Sequence, residues 1–219
     1  ELLLKDLCLE HMSRGIDIWN GNAAIHLQPD SGEIIQPPPS STVAKAALVL
    51  ESVEVVSHSG RGIVVLGGAH AQIKDSYIHD CAATGVYVGG DGSRAVLEAV
   101  DVTDNGMGNQ FIGGIVRGHS GVYIDQGIVT ITDCNVSRNS SSGVAVISPD
   151  QTELTLKKTD ILTNGNTPVD VHDGNAGRIV IHPDCQLALI GPPNPARSTI
   201  LLAELRADDE SDAEMMMDF

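Results

Sequence analysis

The sequence predicts an all-β solenoid: a single-stranded right-handed parallel β-helix of about six to seven coils over residues 1–190, with a short C-terminal helix and an acidic tail beyond. Three observations predict it. A unit of apolar bursts and turn residues recurs along most of the chain. The spacing inside that unit is nearly constant. The apolar residues are overwhelmingly aliphatic, with 42% hydrophobic but only 3% aromatic residues, which suits a core of thin, regular layers.

The copies read LKDLCLEHMSRGIDI from Leu4, LESVEVVSHSGRGIVV from Leu50, IKDSYIHDCAATGVYV from Ile73, LEAVDVTDN from Leu97 resuming with GVYI at Gly121, ITDCNVSRNSSSGVAV from Ile131 and LKKTDILTNGNTPVDV from Leu156. A partial copy, IHPDCQLAL, starts at Ile181. From the leading apolar residue to the glycine the separation is 12 in the copies at Leu50, Ile73 and Ile131, and 12 again from Leu156 to Pro168, which stands in the glycine's place. It is 11 in the first copy and 24 in the copy at Leu97, which carries an insertion. A fixed period of this kind is the signature of stacked structural repeats. Each copy holds three bursts too short to bury a face in a flat sheet. Coiled, they stack at the strand spacing of about 4.8 Å.

Stacking predicts three inward aliphatic columns. They are Leu4, Leu50, Ile73, Leu97, Ile131 and Leu156; Leu9, Val55, Ile78, Val102, Val136 and Ile161; and Ile16, Ile63, Val86, Val122, Val144 and Val169. The polar turn places His58, Cys81, Asn105, Asn139 and Asn164 in one register. Asparagine amides there can bond up and down the column and to the turn backbone, so Asn105, Asn139 and Asn164 are read as a structural ladder. Gly15, Gly62, Gly85, Gly121 and Gly143 are expected at bends with positive φ. A leucine-rich solenoid is excluded by the absence of a leucine-dominated unit with helical returns.

Two insertions, at 19–45 and 106–119, interrupt the coils. The first holds Trp19 and the proline cluster of QPDSGEIIQPPPSS, which favours an extended excursion; the second is glycine-rich and holds Phe111. Residues 191–219 read as a linker, a capping helix in STILLAELRA and a tail. Glu204 to Phe219 carries seven acids and one arginine, the composition of a solvated tail.

The net charge of −16, with only 13 Lys and Arg, argues against nucleic acid as a partner. No apolar run reaches the roughly 18 to 20 residues of a membrane span, and the start has no signal-peptide pattern. The expected location is the cytoplasm, or an organelle lumen reached after processing, rather than outside the cell. The start at Glu1 suggests a piece of a longer chain. Cys8, Cys81, Cys134 and Cys185 form no CxxC pair and read as reduced thiols. No metal site and no cofactor is expected, because the eight histidines lack zinc-ligand spacing and no phosphate-binding glycine loop opens a helix.

The unit I-x-D-x-x-I-x-x-C/N-x-x-x-G-V-x-V resembles the parallel β-helix repeat of pectin-active enzymes and alginate epimerases. It also resembles the carbohydrate-binding and sugar-hydrolase type repeats of F-box protein 11 and Shc SH2-binding protein relatives. The resemblance covers roughly residues 1–190 and implies the fold; function varies across the family from lyases to recognition modules. The sequence departs from the enzymes of this fold. It lacks the closely spaced aspartates with a Gly-His-Gly segment of the hydrolases, the arginine motif of the lyases and the Asp-Pro-His segment of the epimerases.

The outward residues that offer chemistry are Asp101, Asn135 and Asp160 in one column with Tyr77 and Glu54, and Asp104 with Arg138 in the next. Candidate binding residues are therefore Trp19, Asp101, Asp104, Phe111, Arg117, His119 and Arg138, with no catalytic set identified. His79 and Asp80 are expected to point opposite ways. The expectation is a noncatalytic recognition or scaffold module whose partners are other proteins in a larger assembly. The alternative is a polysaccharide-active or carbohydrate-binding protein.

Overall fold

The computed structural model describes residues 2–11, 23–28, 47–106, 110–112, 115–117, 119–172 and 178–188. Three parallel sheets run the length of the solenoid, each coil giving one strand to each. The first sheet has seven strands, from Leu2–Lys5 to Ile179–Ile181; the second has seven, from Cys8–His11 to Gln186–Leu187. The third has six, from Ala23–Leu27 to Val169–Val171. Six full coils and a partial seventh result. Among the described residues no helix is long and apolar enough to cross a membrane, and the expected C-terminal helix and tail lie outside them.

The strand register reproduces the first two expected columns. Leu4, Leu50, Ile73, Leu97, Ile131, Leu156 and Ile181 are successive partners, as are Leu9, Val55, Ile78, Val102, Val136, Ile161 and Leu187. Their central members are fully buried in one continuous core. The third column differs at its first place. Ile25, not Ile16, is the partner of Ile63. Residues 23–27, expected within the excursion from 19 to 45, are thus a strand of the third sheet, and Ile16 lies outside the described residues.

The corners explain why the bursts are separated as they are. Asp6, Ser52, Asp75, Ala99, Asp133 and Lys158 each follow a first-sheet strand and each adopts positive φ, between 46° and 56°. A single left-handed residue thereby turns the chain into the second sheet, at a local cost that the ladder bonds offset. Each of the first five corner amides donates to a carbonyl in the next coil, as Asp75 N does to Glu98 O at 3.0 Å. Asp80, Asp104, Arg138 and Thr163 make the second turn in the same way.

The glycines after that turn play another part. Gly62, Gly85, Gly121 and Gly143 are not in the left-handed region, contrary to expectation; they are required because a side chain would collide with the next coil. A Cβ on Gly62 would stand 2.5 Å from the Gly85 carbonyl oxygen, and one on Gly121 2.5 Å from Asn139 Nδ2.

The ladder forms as expected in Asn105, Asn139 and Asn164, all buried. Asn139 Oδ1 accepts from the Asn105 backbone N–H (3.1 Å) and side-chain Nδ2 (3.0 Å), while Asn139 Nδ2 donates to Val102 O and Asn164 Oδ1. Cys81 ends the column, its N–H donating to Asn105 Oδ1 at 3.1 Å. His58 does not join. It is exposed, and its Nε2 meets Glu10 Oε1 at 3.0 Å.

Candidate recognition face

The outer face of the second sheet carries the polar residues singled out from the sequence. Because side chains alternate along a strand, Cys8, Glu54, Tyr77, Asp101, Asn135, Asp160 and Gln186 form one outward column. His79 and Thr103, two residues further along, stand beside it. Asn135 Nδ2 donates to Asp101 Oδ1 at 3.1 Å. Thr103 Oγ1 donates to the Tyr77 hydroxyl at 3.2 Å.

His79 organises the middle of the face. Its ring stacks on Tyr77 with centroids 3.8 Å apart. Nε2 lies 2.9 Å from Glu54 Oε1 and Nδ1 2.7 Å from Asp80 Oδ2. Carboxylates only accept, so both contacts are hydrogen bonds only when both ring nitrogens carry hydrogen. The expectation that His79 and Asp80 diverge fails because Asp80 is left-handed, at φ 49°, which swings its carboxylate back toward the imidazole.

Asp104 and Arg138 occupy equivalent left-handed turns in adjacent coils and form a forked pair: Arg138 Nε donates to Asp104 Oδ1 at 2.9 Å and Nη2 to Oδ2 at 2.7 Å. The guanidinium holds the Asp104 carboxyl below its ordinary range and is itself raised by that carboxylate. Hydrogen bonds from His79 and then Cys8 likewise lower Glu54, and the Glu54 carboxylate raises the Cys8 thiol.

At the edge of this face, where the chain turns from the first sheet, lies an open groove of about 580 Å³. It is lined by Ser52, Val53, Glu54, Asp75, Ser76, Tyr77, Ala99 and Asp101. Tyr77 is 37% exposed there, the one large aromatic so exposed among the described residues.

The remaining candidates do not converge on this face. His119 lies near Arg61, toward the third sheet; burial pushes its imidazole down and the nearby Arg61 adds to that. Its backbone N–H donates to Ser140 Oγ at 2.9 Å. Phe111 and Arg117 fall on the strands Gln110–Ile112 and Ile115–Arg117, which pair antiparallel as a hairpin in the second insertion; their side chains lie outside the described residues, as does Trp19 entirely. Sequence reasoning missed a second cluster, on the third sheet, where the Arg61 guanidinium sits 4.5 Å over the Tyr87 ring and Tyr87 stacks on Tyr123 at 5.5 Å. The signal was present, since Tyr87 and Tyr123 occupy the same place in adjacent copies.

Among the described residues no group of three or more His, Cys, Asp or Glu is placed to hold a metal ion. All four cysteines are free thiols. Burial pushes Cys81 up to about 12 and Cys134 to about 11, so both are unreactive as nucleophiles at neutral pH.

A coiled stack of three parallel sheets with one polar, hydrogen-bonded outer face defines a right-handed parallel β-helix protein. Residues 11–183 match the family described as the right-handed beta helix region, and the chain belongs to that family. No curated protein and no solved structure matches it.

Proposed function

We propose that the chain is a noncatalytic recognition or scaffold module that binds another protein through the outer face of its second sheet, within a larger chain or assembly. The observation that carries this reading is that the charged side chains of that face are held by one another, Glu54 with His79, Asp101 with Asn135 and Asp104 with Arg138. Glu54 and Asp104 are both lowered by hydrogen-bonded partners. Side chains fixed by one another on a rigid sheet make a preorganised surface, which lowers the ordering cost of association.

The alternative, a carbohydrate-active or carbohydrate-binding protein, draws support from Tyr77, an exposed aromatic with Glu54 and Asp101 in the adjacent coils. Two assays separate the readings. Partner capture with the wild-type chain is compared with Tyr77→Ala/Arg138→Glu and with a chain lacking residues 204–219. Loss of a recovered protein in the face variant alone supports the proposal. Turnover of acidic polysaccharides by the wild-type chain, abolished by Glu54→Gln or Asp101→Asn, overturns it.

A further inference from the structure

The groove beside Tyr77 has a chemistry that narrows what it can receive. Three of its lining residues, Glu54, Asp75 and Asp101, are carboxylates, and none is Lys or Arg. The neighbouring cations are engaged with carboxylates outside the lining: Lys5 with Glu51 at 2.5 Å, Lys74 with Glu98 at 3.1 Å and Arg138 with Asp104 at 2.7 Å. Asp75 adds only a minor attraction to Lys5, behind that of Glu51, and Tyr77 and Asp101 add minor ones to Arg138, behind that of Asp104. The His79 imidazole, with Nε2 2.9 Å from Glu54 Oε1, approaches Glu54 from the face rather than from the corner. Tyr77 supplies an aromatic ring whose one side is covered by His79, with the groove against it. Glu54 and Asp101 flank Tyr77 in the adjacent coils, one strand spacing of about 4.8 Å to either side.

We propose that this groove seats an arginine side chain presented by a partner protein, its guanidinium against Tyr77 and its N–H groups directed to Glu54 and Asp101. The inference rests on the recognition reading above and supplies the chemistry of the partner. Arginine suits the site better than lysine, because a planar guanidinium can stack on the ring and offer donors to both sides in one plane, whereas an ammonium is a compact, strongly hydrated point charge. Ser76 adds little to selectivity, since its hydroxyl is committed to Lys74 O at 2.5 Å and accepts from Val53 N. The shared negative charge of the lining disfavours acidic sugars and phosphates in the same groove.

The test is an NMR titration of the full chain with the capped pentapeptide Gly-Gly-Arg-Gly-Gly, beside its lysine and citrulline counterparts and galacturonic acid. A dissociation constant on the order of 1 mM is expected for one anchored side chain. Shifts should concentrate on residues 52–54, 75–77 and 99–101. Binding should weaken about five- to tenfold in Tyr77→Ala, remain in Tyr77→Phe and fall in Asp101→Asn. Citrulline, which keeps the shape without the charge, should not bind. Binding by citrulline equal to that by arginine, shifts spread over the acidic surface, or a preference for galacturonic acid overturns the proposal. If arginine fails while the face variant still abolishes partner capture, only the arginine site is lost. If capture is insensitive to the face as well, the recognition reading falls with it.

Discussion

Asn139 takes the Asn105 backbone and side-chain N–H groups on one carboxamide oxygen and gives its own N–H groups to Val102 O and to Asn164 Oδ1, all between 3.0 and 3.1 Å. It is 1% exposed, so no bulk water can replace a lost partner. Truncation leaves several buried groups unpaired at about 1–3 kcal/mol each before relaxation. Asn139→Ala should therefore cost about 3–4 kcal/mol, more than Asn105→Ala or Asn164→Ala, whose side chains make three such bonds each. Urea denaturation of the three variants checks the order.

The same column makes the glycine beside it irreplaceable. Gly121→Ala should destabilise by about 1–3 kcal/mol, because the new methyl would sit on the Asn139 amide and the Val136 side chain. An alanine at Gly68, whose φ is +84° but whose Cβ would meet nothing closer than 3.6 Å, tests backbone strain alone. Thermal melts of the two variants separate collision from strain.

The Asp104–Arg138 fork is solvent-facing, with side chains 32% and 54% exposed, so its worth is small despite good geometry. Arg138→Ala should cost no more than about 1 kcal/mol, and less at high salt. Asp104 is lowered in the folded state, so its contribution is present above the ordinary carboxylate range and is lost as pH falls through the folded value. Acid titration of stability should show the wild type losing this increment, while the variant lacks the step.

Thiol chemistry provides an independent reading of the corners. Cys81 and Cys134 are buried and raised, whereas Cys8 is exposed on the second-sheet edge. Native protein should yield Cys8 first to an aromatic disulfide reagent, with Cys81 and Cys134 reacting only on unfolding. The neighbouring Glu54 raises Cys8, so its rate should climb in Glu54→Gln at neutral pH.

Two inward columns and the ladder were legible because both follow a fixed period and tolerate only one kind of side chain. What escaped depends on local conformation. Ile16 satisfied the pattern of the third column as well as Ile25 does, and only strand pairing distinguishes them. His58 shared a register with Cys81, but the residue before it, Ser57, lacks the left-handed turn that Asp80, Asp104, Arg138 and Thr163 make, so the side chain faces solvent. The clamp on His79 was hidden for a related reason: alternation predicts opposite faces for His79 and Asp80, and one positive φ cancels it. Glycine identity was read as positive φ at Gly62, Gly85, Gly121 and Gly143, whereas the constraint there is space against the next coil, which only the stacked coils reveal.

Hydroxyl-radical footprinting of the chain alone and with its captured partner tests the recognition face most directly, since Tyr77 and His79 report on it through their own side chains. Protection of both is expected on binding, with Val96 and Val180 on the first sheet unchanged. Protection confined to the first sheet, with Tyr77 oxidised as fast as in the free chain, would contradict it.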